Sequence, residues 1–324
     1  MDRKRALAIL GVVTGATLFG FLGITTRYFN GERGLQSIDI VVIRLTFASI
    51  ILLIILGILA HDKLKISRKD IPILILFGIF KISSDVTFFY AQTVIHLGLA
   101  TLLQMTAPYY VMMVSLLLFR EKLTPKKIIA MTMATTGAIL VTGILFGDDV
   151  RIEVTGALSA LLSGFFFGMF LVGSKICNDR GLHPAASLFY TMLFADAIAL
   201  LLCDHGALVD AVSDVNGLAL GMALGGLLTL TPFFLYGWST QYIEPTLSSM
   251  VSVLEIVSAA LVGYFIFSET VSFVRIIGMG LVIASVIFLN IKFHKDYVKK
   301  YGEYVPPGYR EDAQPPGGNE PTQH

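Results

Sequence analysis

Short charged segments divide this chain into apolar runs, each about long enough to cross a bilayer and several of them holding an ionisable residue or two, and few folds accept that pattern. A hydrocarbon core about 30 Å thick asks for about 20 mostly apolar residues per helix. Reading between charged or histidine boundaries gives runs at 6–26, 40–60, 71–95, 97–119 and 128–147. A second set follows at 154–174, 184–203, 216–240, 245–268 and 272–291. Only 15% of the 324 residues are charged, against about 25% in a typical soluble domain. The expectation is an all-α integral membrane protein with ten transmembrane helices. The N-terminus starts basic and turns apolar, as a secretion signal does. Its uncharged run from Ala6 to Thr26 is longer than a signal core and ends without a small-x-small site, so it reads as a retained first span.

Two segments resemble each other at a distance. "LFREKLTPKK" (118–127) and "IFSETVSFVR" (266–275) place Glu121 and Glu269 148 residues apart. Thr124 and Ser272 are matching helix N-caps, and Pro125 suits a first helical position. The basic charge differs. Lys126 and Lys127 sit in a first helical turn, where they oppose the helix dipole, so helix stability does not explain them. Sorting the basic residues by loop supplies a reason. With the N-terminus inside, the 61–70 and 118–127 loops, Lys175, Arg180 and the lysines after Ile291 are all cytoplasmic, leaving Arg27, Arg33, Arg151 and Arg275 outside. Five spans per half is an odd number, so the second half is upside down relative to the first. Inverted repeats of this kind are a hallmark of secondary transporters.

The domain reading is a first repeat at 1–147, an inverted second repeat at 148–292, and a Pro/Gly-rich cytoplasmic tail at 293–324, expected to be disordered. The first half shows Ala100, Pro108 and "REKLTPKKIIAMTMATTGAILVTG"; the second shows "LEIVSAALVGYFIFSETVSFVRIIGMGLVIASVIFLN". These motifs resemble the EamA repeats of the drug/metabolite transporter superfamily over about residues 6–291. Where members of that family often have Leu-Glu-Pro, this chain has Leu254-Glu255-Ile256. Arg44 is similar to an arginine often found in the family's second span. The resemblance implies a pocket between two inverted halves, lined by spans 1–4 and 6–9, with spans 5 and 10 peripheral.

Ionisable residues inside spans cost about 2.5–3.5 kcal/mol each on insertion scales, so each needs a reason. Lys81 and Asp85 stand one turn apart on one helix face, either as a structural pair or as a wall that a zwitterionic or charged solute could contact. Glu255 lies mid-span with no basic residue near it in sequence and is the candidate coupling group, able to exchange a proton; a structural, protonated role is the alternative. Arg44 and Asp196 are further intramembrane charges, and Arg44 is close enough to the span end to snorkel. His96 sits at a helix junction. Pro108 and Pro232 permit kinks, as gating joints or as fixed packing features. Tyr90, Tyr109 and Trp238 are candidate pocket walls. Gly11/Gly15, Gly164/Gly168 and Gly217/Gly221/Gly225 have the spacing of close helix contacts.

No Gly-rich phosphate loop, metal-ligand cluster or HExxH motif appears, so no enzyme activity, cofactor or bound metal is expected. The two cysteines, Cys177 and Cys203, are too few for a disulfide framework and read as free thiols. The function expected is secondary transport of a small organic metabolite, an amino acid or relative being exported, across the cytoplasmic membrane with both termini inside. The partners are the solute, the bilayer and protons as candidate coupling ion; nothing suggests nucleic acid or sets an oligomeric state. The alternatives are a carrier of phosphorylated or nucleotide-linked solutes and a membrane sensor or scaffold.

Overall fold

The computed structural model describes residues 3–59, 61–95, 97–143, 153–268 and 271–290. His96, Glu269 and the tail at 293–324 lie outside the described residues. The apolar runs are helices, the form in which a chain in lipid satisfies its own backbone hydrogen bonds. In chain order they are α1 (Arg3–Gly31), α2 (Ser37–Leu59), α3 (Ile71–Val94) and α4 (Gly98–Leu118). Then come α5 (Pro125–Thr142) and α6 (Val154–Asp179). They are followed by α7 (Pro184–Ala199), α8 (Val215–Ser239), α9 (Pro245–Phe267) and α10 (Phe273–Asn290). Among the described residues, eight of these are long and apolar enough to cross a membrane, all but α5 and α7. Helix α5 spends its first turn on Lys126 and Lys127, and α7 has 16 residues.

Two boundaries differ from the sequence reading. Helix α6 runs past residue 174, because Lys175 and Asp179 pair one turn apart at 2.6 Å and Lys175 is buried, not in a loop. Helix α7 stops at Ala199, and Cys203 falls in the turns that follow. Both cysteines are free.

Polar contacts define the two ends of the bundle. At one, Tyr190 donates to the carbonyl of Leu64, Arg180 meets Asp70 at 3.5 Å, and Asn178 donates to the carbonyl of Gly237. Lys126 stands 5.9 Å from the Phe288 ring at the same end. This end carries the 61–70 and 118–127 segments and is called the basic end below. At the opposite end Asp39 accepts from the backbone of Asp204, Arg33 pairs with Asp214, and Arg27 covers Phe267.

The packing maps onto itself when each helix is exchanged for the one five places along. Helix α3 packs on α6 and α7, as α8 packs on α1 and α2. Helix α4 packs on α6 as α9 packs on α1, while α5 with α10, α2 with α7 and α4 with α9 are their own counterparts. Individual glycines repeat the pattern. Gly20 closes on Ser258 and Ala259, and Gly168 on Tyr110 and Val111, each position 148 residues from its counterpart. Gly78 closes on Thr191, Phe194 and Ala195, and Gly225 on Arg44, Phe47 and Ala48, at an offset of 147. The backbone agrees. Arg120 and Ser268, again 148 apart, are the two non-glycine residues with left-handed φ among the described residues, at 53° and 54°. Thr124 and Ser272 cap as expected, accepting from the backbone N–H of Lys127 and Arg275.

These contacts leave no room for a methyl group. A Cβ at Gly78 would stand 2.8 Å from Phe194 Cβ, and one at Gly225 would stand 2.4 Å from Phe47 Cβ. Gly78→Ala and Gly225→Ala are each expected to cost about 1–3 kcal/mol by overpacking. Gly23→Ala and Gly280→Ala, where nothing lies within 4 Å, are the controls and are expected to be nearly silent. Thermal unfolding in detergent checks this; equal shifts in all four variants would refute the close-packing account.

Candidate functional site

Four of the intramembrane charges converge. Lys81 and Asp85 pair one turn apart on α3, and the Lys81 side chain is 1% exposed. Asp85 also faces Arg44 of α2, whose terminal nitrogen lies 3.7 Å from Oδ1. The Arg44 charge in turn acts on Glu255 of α9. Arg44 therefore does not snorkel: its side chain is 12% exposed and turned into the bundle. Nor is Glu255 beyond the influence of a basic residue, since the Arg44 charge acts on it, without an ion pair, from a helix out of reach of any local reading. Two cations and two carboxylates leave the group formally neutral, which removes most of the reason for lipid to reject them.

An aromatic arc completes the surroundings. Lys81 Nζ stands 5.3 Å from the Phe233 ring, Phe233 meets Phe19 edge-on at 5.0 Å, and Phe19 stacks on Tyr236 at 6.0 Å. Tyr236 lies within electrostatic reach of Glu255. The circuit runs Lys81, Phe233, Phe19, Tyr236, Glu255, Arg44, Asp85, with contributions from α1, α2, α3, α8 and α9. Glu255 is deeply set in the bundle and only partly exposed. The members are not equally occupied. Lys81 is held by Asp85, whereas Arg44 Nε has no hydrogen-bond partner among the described residues. Arg44 therefore retains a donor for something else.

Other expected residues lie elsewhere. Asp196 is buried on α7 with both carboxylate oxygens 3.0 Å from the Thr46 hydroxyl. Tyr90 is 49% exposed on the bundle surface. Trp238 packs on Gly11 and against Tyr242. Tyr109 bonds Thr135 at 2.7 Å and lines a cavity of about 210 Å³ between α4, α5 and α9, to which none of the four charges contributes. Phe19 and Thr46 carried no sequence signal, being one apolar and one small polar residue inside apolar runs.

That cavity marks where two helices break. Helix α4 is interrupted at Met105–Thr106 and α9 at Val253, again 148 residues from Met105, and Met105, Thr106 and Val253 all line the cavity. Pro108 falls in the first turn after the α4 break. Pro232 likewise opens the segment Thr231–Ser239, after a stretch of wider helical turns at Ala223–Leu230 where the Thr231 hydroxyl donates to the carbonyl of Gly226. Both prolines thus sit at real interruptions. Paired broken helices at corresponding positions are characteristic of transporter cores.

At the basic end, Lys127 bridges two carboxylates, Glu121 at 3.1 Å and Glu244 at 2.5 Å. Burial first, then the charge of Glu244, pushes the Glu121 carboxyl above the usual range, against the opposing pull of Lys127. Glu244 escaped sequence reading; its signal was an acid placed directly before Pro245 at the head of an apolar run.

The EamA-like transporter family matches the chain twice, over residues 6–143 and 154–291. An "Uncharacterized transporter" of Archaeoglobus fulgidus is 24% identical over 288 residues, which cover 85% of this chain and 93% of that one. A solved structure, described only as a crystal structure of a protein, aligns with a TM-score of 0.73 at 16% identity, over 87% of this chain and 96% of its own, and shows a shared fold. The two matches fill the helical bundle, and their 148-residue offset is the offset of the paired breaks, glycine contacts and left-handed residues: the chain belongs to the EamA-like transporter family.

Proposed function

We propose that the protein is a ten-span secondary transporter that exports an amino acid or a related zwitterionic metabolite, with the converging charges as its solute site. The observation that carries this reading is the unequal occupation of that site. Among the described residues Arg44 has a donor nitrogen without a hydrogen-bond partner and a loose contact to Asp85, and its charge acts on Glu255. A solute carboxylate would take Arg44, and its ammonium would take Glu255 or Asp85. Lys81, sealed by Asp85, belongs to the supporting structure. A carrier of phosphorylated solutes would need several free cations here, whereas among the described residues Lys81 is held by Asp85 and Arg44 is loosely shared with it.

The ten-span count adds α5 and α7 to the eight longer helices. It is supported by end contacts: Lys126 at the head of α5 lies near Phe288, and its C-terminal Gly143 lies against Arg275. Five traverses per repeat invert the halves, and the positive-inside rule sets the basic end in the cytoplasm of a cell membrane. Rocking of one half against the other around the midplane site would then give alternating access.

The test is counterflow in liposomes holding the purified protein, with a panel of amino acids, their amides and their deaminated acids. Amino acids are expected to exchange, and both kinds of derivative to exchange poorly. A folded protein that exchanges none of the panel would favour the sensor or scaffold reading. Impermeant maleimide on single cysteines in intact cells is expected to label 204–214 but not 61–70; equal labelling would overturn the inversion.

A further inference from the structure

We propose that Glu121, Lys127 and Glu244 form the gate that keeps the basic end shut, and that the transport cycle breaks it by parting Lys127 from Glu244. The inference rests on the transporter reading but on different residues. Glu121 and Lys127 belong to the first repeat and Glu244 to the second, so this bridge joins the parts that alternating access must separate. The sequence is shaped to make it. Arg120 adopts the strained left-handed conformation and the next residue, Glu121, has a side chain 1% exposed. Lys127 occupies a first helical turn against the dipole. Its neighbour Lys126 turns instead to Phe288, so only one of the two lysines serves the bridge.

What lies behind the bridge is closed. All eight residues of the first segment of α9, Pro245–Ser252, are buried, and this segment packs on Ala107–Leu118 of α4. It carries Thr246, Ser248, Ser249 and Ser252, a polar content that a permanently sealed apolar core does not need. The opposite end has its own bridge between the repeats, Arg33 with Asp214 at 2.6 Å, but these side chains are 27% and 44% exposed, against 11% for Lys127, 23% for Glu244 and 1% for Glu121. Exposed pairs of that kind hold little, whereas breaking a desolvated bridge strands charge. The bridge at the basic end, with Glu121 and Lys127 buried, is therefore the one that controls an opening.

The test places Ser249→Cys in full-length protein with Cys177→Ser and Cys203→Ser, in inside-out vesicles, and measures its reaction with an impermeant maleimide. Labelling is expected to be slow with the bridge intact. With Glu244→Gln, or independently Glu121→Gln, it is expected to rise by up to about tenfold as the open state gains population. Exchanging the charges, Lys127→Glu with Glu244→Lys, keeps two acids and one base in the bridge and is expected to slow labelling again. Val12→Cys, in the fully buried part of α1, reports general loosening. Unchanged labelling of Ser249→Cys in folded variants would overturn the gate, and so would a parallel rise at Val12→Cys. The labelling needs no solute, so absent counterflow with an intact gate response would reject the transporter reading instead.

Discussion

Asp85→Leu is expected to remove most of the folded protein, a larger loss than Lys81→Leu causes. Asp85 is the carboxylate that both Lys81 and Arg44 contact, so deleting it leaves two cations in low dielectric. Stranding one partner of a buried pair costs about 3–5 kcal/mol, and a marginally stable bundle cannot absorb more than that. Lys81→Leu leaves Asp85 facing Arg44 and is expected to be tolerated better. The double variant Lys81→Leu with Asp85→Leu removes the tight pair together and leaves Arg44 opposite Glu255. It is expected to recover much of the fold that Asp85→Leu loses. The yield of monodisperse protein and its thermal unfolding in detergent measure all three. Equal losses from the two single changes would mean that Arg44 does not depend on Asp85.

That asymmetry between Lys81 and Asp85 was invisible in the sequence, and the reason is instructive. The helices themselves were legible because lipid tolerates few alternatives to an uncharged apolar helix, and the repeat was legible because Glu121 and Glu269 sit at one offset. Even the pairing of Lys81 with Asp85 could be read, since one helical turn joins them. Arg44 could not be placed. Distance from the span end suggests snorkelling, but the α2 helix begins at Ser37 and its packing on α7 and α8 turns that level of the helix inward. The charge that acts on Glu255 is 211 positions away, so no local window contains both. The helix breaks show the same limit from another side. Pro108 hinted at the one in α4, whereas α9 breaks at Val253 with no proline or glycine there, and only the equivalence with Met105 accounts for it. Lys127 was an intermediate case. Its conflict with the helix dipole was readable as an anomaly, and its resolution, two carboxylates from different repeats, was not.

Glu255→Gln is expected to separate exchange from uphill transport. The substitution keeps the shape and the hydrogen-bonding capacity of the side chain while removing its ability to carry a proton or a charge. Arg44 then loses one of the carboxylates acting on it but keeps Asp85, so the fold is expected to survive with a modest change in melting temperature. Counterflow is expected to remain measurable, since exchange of one solute molecule for another needs no net proton movement. Accumulation against a gradient, driven by an imposed pH difference, is expected to fall to background. Two controls make the result decisive. A pH-sensitive dye verifies that the gradient persists in the variant vesicles, and Asp196→Asn, on a carboxylate held by Thr46 away from the four charges, tests whether any buried acid would give the same phenotype. Uphill transport at the unmodified rate in Glu255→Gln would remove Glu255 from the coupling step. Loss of uphill transport in Asp196→Asn alone would move that step to α7.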